Sequence, residues 1–364
     1  MTAAPRDDAV ARLHAGPVVD MVTNLVTEGV PGWADDCLAG GVDLVCQSID
    51  PTWRHSAHVR PYLDVMPDAA TAFRTLAWLR AAVARDDRLL LAQDVPADVE
   101  RARASGRLAV MAHSQTSTQF GMDLDLVHEL HAAGLRMTGL AYNLRTPAAD
   151  GCVEETDAGL SRFGRRLVEE CNDAGLVVDG SHAGVRSTLD AIEVSGRPVV
   201  FSHNGCRALY DHPRNLTDEQ LRACAARGGV VGVVAVPAFL AGTARIPLSV
   251  LGDHVLHAVD VAGAEHVGLG LDWFWGFEAY AAHAWPDVDP AAGGGTRRPR
   301  DVGDLLWDPQ HLPPPGAVLA VDDLPTPARL PALTRHLLDR GLSEAELALV
   351  LGGSWLRVLG AWSA

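Results

Sequence analysis

Lysine is absent from all 364 residues, so every one of the 30 basic side chains is an arginine. That excludes a lysine Schiff base, a phosphate-loop lysine and a carbamylated-lysine metal bridge. The six cysteines, Cys37, Cys46, Cys152, Cys171, Cys206 and Cys224, are scattered and never form C-x-x-C. A zinc-finger-type site is therefore unsupported, and reduced, mostly buried thiols are expected. No apolar run approaches the ~18 residues of a membrane span. The N-terminal MTAAPRDDAVARLHAG carries acidic residues and no apolar core segment. It does not read as a secretory signal, so the cytoplasm is the expected compartment. The formal net charge of −16 disfavours nucleic acid and anionic membranes as partners.

What is present is an ordinary globular composition, 48% hydrophobic and 21% charged, in a chain long enough to bury a large core. Eight apolar, β-rich runs recur along it, at 18–23, 43–49, 108–115, 137–142, 176–182, 198–203, 229–236 and 266–273. Amphipathic stretches such as TAFRTLAWLRAAVA, LDLVHELHAAG, GRRLVEECNDAG and TDEQLRACAARGG separate most of them, several ending in the glycine that stops a helix. Eight buried-type strands alternating with helices predict an α/β protein, a closed (β/α)8 TIM barrel. A doubly wound sheet is the alternative, but no G-x-G-x-x-G follows the first strand.

The whole chain, 1–364, reads as a single barrel domain. A Pro/Gly-rich excursion at about 286–328 follows the last strand, as a lid or an oligomer contact. A C-terminal helical pair closes the chain, and S-E-A-E at 343–346 is the signature of a capping box. In a barrel the chemistry sits at the C-terminal strand ends. Those ends carry Asn24, Gln115, Tyr142, His182, His203 and Asp272.

Ordered blocks across nearly the whole chain resemble the membrane dipeptidase (renal dipeptidase) family of zinc peptidases. They are PVVDMVTNL, GRLAVMAHSQT, AGLRMTGLAYN, GLSRFGRRLVEECNDAGLVVDGSH, RPVVFSHNGCRALYDHPRNLTDEQL, ARGGVVGVVAVPAFL, HVGLGLDW and GLSEAELALVLGGSWLRVL. The resemblance implies a barrel with two zinc ions bridged by a glutamate. An H-x-D motif after the first strand and histidines after the fifth and sixth complete the ligands. Here the H-x-D motif reads V-T-N, so Val22 and Asn24 stand at the ligand positions, and Gln115 stands at the bridging glutamate. His182 and His203 match the later histidines. Arg214 matches a substrate-carboxylate arginine and Asp272 an acid/base aspartate. Tyr142 falls where relatives have an oxyanion-steadying histidine.

Valine cannot ligate, and amides are weak neutral ligands for zinc. Two zinc ions without a bridging carboxylate repel strongly in a low-dielectric pocket. The expectation is therefore no cofactor, or, as the alternative, one zinc on His182 and His203. The Asp→Asn and Glu→Gln replacements are near-isosteric and avoid leaving unpaired charge behind, which implies a pocket kept for a ligand.

Each candidate also has a plainer reading. His182 and His203 serve equally as satisfied structural histidines, and Arg214 as a surface residue opening the RNLTDE helix. Tyr142 packs well in a core. Strand alternation points His113 to the same side as Gln115, as an acid/base group or third ligand. His55 and His58 in W-R-H-S-A-H read as a solvated loop after the second strand. Trp273, with Phe274 and Trp275, narrows the pocket or simply packs the barrel mouth.

Three functions follow. The first is a metal-independent enzyme for specialised biosynthesis, acting on a small amino-acid-derived or dipeptide-like carboxylate by cyclisation, elimination, isomerisation or condensation. His182, His203, Asp272 and Tyr142 would be catalytic; Arg214, Gln115, Asn24, His113 and Trp273 would bind substrate. The second is a mononuclear zinc dipeptidase, and the third a non-catalytic ligand-binding homologue. A homodimer is the expected assembly.

Overall fold

The computed structural model describes residues 4–23, 32–49, 67–273 and 320–363. Among the described residues eleven strands run in chain order: β1 (Val19–Thr23), β2 (Leu44–Ser48), β3 (Leu89–Leu91), β4 (Leu108–Ser114), β5 (Leu135–Gly139), β6 (Val177–Asp179), β7 (Phe201–Asn204), β8 (Val231–Val233), β9 (Arg245–Ile246), β10 (Val267–Leu269) and β11 (Ala320–Val321). The main sheet is wholly parallel, in the order β6-β5-β4-β2-β1-β10-β8-β7. A parallel bridge between Asp179 and Val200 joins its two ends, so eight strands surround a closed barrel. All eight expected runs supply one strand each.

β1, β2 and β4 are buried at every position. Strands with the barrel interior on one face and helices on the other have no solvated side, which is why they read as continuous apolar runs. β3 was not foreseen. Its three leucines pair with the start of β4 on the side that β5 occupies further along, and a three-residue run is too short to carry a strand period. Among the described residues β9 and β11 pair with each other, apart from the main sheet.

The flanking helices obey local rules. Arg162–Ala174 is capped by Ser161, whose hydroxyl accepts from Gly164 N at 3.0 Å, and it stops at Gly175 in the left-handed conformation (φ 76°). Gly164, Leu167, Val168 and Cys171 form its buried stripe at i, i+3, i+4 and i+7. Capping boxes open Asp218–Ala226 (Thr217 with Gln220) and Glu344–Ala348 (Ser343 with Glu346). The C-terminal pair is continued by a π-turn, Leu349–Gly353, into Ser354–Ser363. Among the described residues no helix is long and apolar enough to cross a membrane.

Beyond the ends of barrel strands, three non-glycine residues adopt left-handed backbone: Asn143 (φ 59°) after β5, His182 (φ 70°) after β6 and Asp272 (φ 55°) after β10. Such conformations cost energy and persist where the surroundings impose them. All three turn their side chains toward one site.

Candidate active site

β6, β7 and β4 deliver the centre of this site. His182 follows β6 by three residues, His203 lies within β7, and Gln115 directly follows β4. All three are buried. The Nε2 atoms of His182 and His203 are 2.9 Å apart, and Gln115 Oε1 is 2.9 Å from His182 Nε2. Gln115 Nε2 donates to Ser48 Oγ at 3.3 Å, which turns its carbonyl oxygen toward the histidines.

The protons on the two imidazoles can be placed. Asn143 Oδ1 lies 2.7 Å from His182 Nδ1 and also accepts from the Cys152 thiol at 3.4 Å, so Nδ1 of His182 is the donor. On the other ring, Ser202 Oγ donates to Asp179 Oδ2 and lies 2.7 Å from His203 Nδ1. With its single proton committed to the carboxylate, Ser202 Oγ accepts from Nδ1–H of His203. Burial first, then the nearby Arg214 cation, hold both imidazoles well below their ordinary pKa, so both are neutral. Each Nε2 thus presents a lone pair, that of His182 within weak hydrogen-bond reach of Arg214 Nη2, and the two face each other beside an amide oxygen.

Two further groups face this centre. Arg214, 2% exposed, donates from Nη2 to His203 O at 3.0 Å, lies 3.4 Å from His182 Nε2 and rests over the Phe239 ring. Its Nε and Nη1 have no hydrogen-bond partner among the described residues. It is no surface arginine. Asp272 is buried, and loss of solvent raises its carboxyl to about 7 against the opposing pull of Arg214. Tyr142 is half-buried and stacks on His182, with ring centres 4.0 Å apart and planes 24° from parallel.

Other expected residues lie elsewhere. His113 is fully buried with Nε2 3.2 Å from Asp179 Oδ2, so its ring is turned to the carboxylate behind Ser202. Trp273 is 9% exposed, and its indole donates to Asp20. Its large apolar surface is part of the packed core. Val22 is buried within β1. Asn24, His55, His58, Phe274, Trp275 and most of the 286–328 excursion lie outside the described residues.

Four site residues escaped the sequence reading: Asn143, Asp179, Ser202 and Asp20. The buried Asp20 accepts from Leu271 N at 2.7 Å and is pushed up to about 7 by burial, with Asp272 adding to the rise. A signal existed for the two acids. VVDMVT and LVVDGSH each set one carboxylate in an apolar strand, where it requires a partner. Nothing in the sequence marks Ser202.

The membrane dipeptidase family (peptidase family M19) matches residues 40–287. An uncharacterised dipeptidase of Schizosaccharomyces pombe is 34% identical over 47% of this chain and 42% of its own length. A Klebsiella pneumoniae protein encoded in the pqqA 5′ region is 29% identical over 72% of this chain and 85% of its own. A dipeptidase of Clonostachys rogersoniana, VerJ, is 28% identical over 75% and 60%. The chain thus matches less than two thirds of the length of both named dipeptidases. Among solved structures, an amidohydrolase from Pseudomonas aeruginosa superposes with TM-score 0.79 at 24% identity, covering 97% of this chain and 98% of that one. A metallo peptidase from Rhodobacter sphaeroides, solved with a phosphinate mimic of the dipeptide L-Ala-D-Ala, gives 0.71 at 22% identity, covering 95% and 99%. These superpositions establish the barrel fold.

The family match overturns the expectation of no cofactor and points to zinc. That expectation weighed the lost carboxylates and gave too little weight to the retained imidazoles. The residues fit one ion: metal-bound histidines typically donate their other N–H to a neighbouring acceptor, as His182 does to Asn143 and His203 to Ser202. Two imidazoles on a tetrahedral zinc at about 2.05 Å stand roughly 3.3 Å apart, so the observed pair needs to open only slightly. Among the described residues nothing supplies ligands for a second ion. Among the described residues no cluster of three or more histidine, cysteine or acidic side chains is arranged for a metal.

Proposed function

Because the chain belongs to the membrane dipeptidase family, we propose that it is a hydrolase of dipeptide-like substrates that works with one zinc ion on His182 and His203. The observation that carries this reading is the convergence of the two Nε2 lone pairs and Gln115 Oε1, each 2.9 Å from its neighbour, with both imidazole protons held on the far nitrogens. Three lone pairs pointed at one another repel unless a cation or a proton lies between them.

A zinc ion held there would supply an activated water and polarise the scissile carbonyl. The chain's own residues do the remainder. Arg214 offers Nε and Nη1, two donors unused among the described residues, to a substrate carboxylate. A buried guanidinium binds such an anion strongly because little water competes. Asp272 ionises near neutrality, where it can take a proton from water and return it to the leaving amine. Tyr142, held by its stack on His182, presents its phenol as a donor to the developing oxyanion. The phosphinate dipeptide mimic bound by the Rhodobacter sphaeroides neighbour supports the same substrate class.

The test is zinc content by elemental mass spectrometry together with chelator sensitivity of dipeptide hydrolysis. About one equivalent after zinc loading, lost in His182→Ala or His203→Ala, with turnover abolished by chelator, is the expected result. Less than roughly a tenth of an equivalent, or turnover indifferent to chelator, would overturn the proposal.

A further inference from the structure

Asp179, at the end of β6, is 1% exposed and lies where the barrel closes between β6 and β7. Its two oxygens have separate tasks. Oδ1 accepts from Ser181 N and Ser202 N, both at 2.9 Å, and so satisfies backbone groups at a seam where β6 and β7 share a single bridge. Oδ2 accepts from Ser202 Oγ and faces His113 Nε2 at 3.2 Å. Ser202 Oγ in turn lies 2.7 Å from His203 Nδ1. Ser181 Oγ, which donates to Asn204 Oδ1 at 2.7 Å, is a weaker neighbour of Ser202 Oγ at 3.3 Å.

We infer that Asp179 is the positioning residue of the site: through Ser202 it dictates that His203 keeps its proton on Nδ1 and offers Nε2 to the pocket as a lone pair. The inference rests on the single-zinc reading only where zinc affinity is its readout. The logic is one of donors and acceptors. An ionised carboxylate only accepts, so Ser202 must give it the hydroxyl proton, and the serine oxygen then has only acceptor capacity left for His203. Reversing the first bond reverses the chain. In Asp179→Asn the amide oxygen can keep both backbone N–H bonds at the Oδ1 position while the NH2 replaces Oδ2. Ser202 Oγ then accepts from Asn Nδ2 and donates to His203 Nδ1. The imidazole proton moves to Nε2, where it blocks the lone pair that faces His182.

The experiment uses the full-length chain labelled with 15N-histidine in zinc-free buffer, with His203 assigned by loss of its signals in His203→Gln. Long-range 1H–15N spectra are expected to show the Nδ1–H tautomer in the wild type and Nε2–H in Asp179→Asn. Zinc affinity in a competition titration is expected to fall 10- to 100-fold in Asp179→Asn, the range found when partners behind metal ligands are removed. Ser202→Ala, which leaves the carboxylate in place, should weaken zinc by a similar factor. In the Ser202→Ala background, Asp179→Asn should then change affinity by less than about twofold, because the relay is already cut. An unchanged His203 tautomer in Asp179→Asn overturns the proposal. So does an equal loss of affinity with or without Ser202, which would reduce Asp179 to a seam-closing residue. If the wild type binds no zinc but the tautomer flips, the relay stands and only the hydrolase reading falls.

Discussion

His182 and His203 meet Nε2 to Nε2 at 2.9 Å, each with its other ring nitrogen donating to an oxygen that no backbone element supplies. Burial and the Arg214 cation keep both rings neutral, so the contact is between two potential ligands rather than between an imidazolium and its acceptor. The neighbouring Gln115 oxygen makes a third potential ligand, but a neutral and weak one.

That weakness can be reversed. Gln115→Glu places a charged oxygen beside the histidine pair and is expected to tighten zinc at least about tenfold in a competition titration, since carboxylates are far better zinc ligands than amides. In zinc-free protein the same change buries an unpaired charge and should lower the melting temperature at pH 8. Zinc should restore it. A variant with unaltered zinc affinity would show that Gln115 does not face the ion.

The proposed role of Asp272 predicts a pH limb. Burial raises its carboxyl to about 7, so the ionised fraction, and with it the capacity to accept a proton, grows as pH rises through that value. The kcat/KM for a dipeptide should therefore climb through about pH 7 and fall away on the acid side. Asp272→Asn should lower kcat by about 10²- to 10⁴-fold and remove the limb. A limb that persists in the variant would assign it to another group.

Asp20 couples stability to pH in the opposite sense to most surface acids. Burial raises its native value from 3.8 to about 7, so between those values the folded chain holds a proton that the unfolded chain has released. Its contribution is therefore greatest at the acid end of that window and is lost as pH rises through about 7. The three-unit shift corresponds to roughly 4 kcal/mol at most. Chemical denaturation of chelator-treated protein should show Asp20→Asn gaining stability relative to wild type between pH 5 and pH 8. A difference that stays flat with pH would refute this.

Trp355 and Gly268 test the packing that holds the barrel shut. Trp355 is fully buried and donates from Nε1 to Leu269 O at 3.0 Å, and a Cβ on Gly268 would lie 2.2 Å from that nitrogen. Trp355→Ala should cost about 3–5 kcal/mol. Gly268→Ala should destabilise strongly by overpacking in the wild type yet cost little in the Trp355→Ala background, because the nearest atoms to the new methyl all belong to that indole. Additive losses in denaturant titrations would contradict this assignment.

The sequence by itself determined the barrel and the identity of its centre. Strands buried on both faces show as apolar runs of the right length, and glycine stops and capping residues act within a few positions of themselves, so 18–23 through 266–273 and the Ser343 box were legible. His182, His203, Gln115 and Asp272 were legible because polar groups at the ends of apolar strands need partners, whereas Arg214, in the loop ten residues after β7, was named only through the family resemblance. β3 was not, since Leu89–Leu91 becomes a strand only by pairing with Leu108–Val110. The surroundings of Trp273 were open for a related reason: its indole turns to Asp20, which is 253 positions away in the chain. Only the tertiary structure decided what the histidines can do. Whether an imidazole offers a proton or a lone pair depends on the group behind it, and Asn143 and Ser202 occupy those places through the fold alone. No pattern along the chain records a hydrogen bond between residues 39 positions apart, yet that bond decides which nitrogen of His182 faces the pocket.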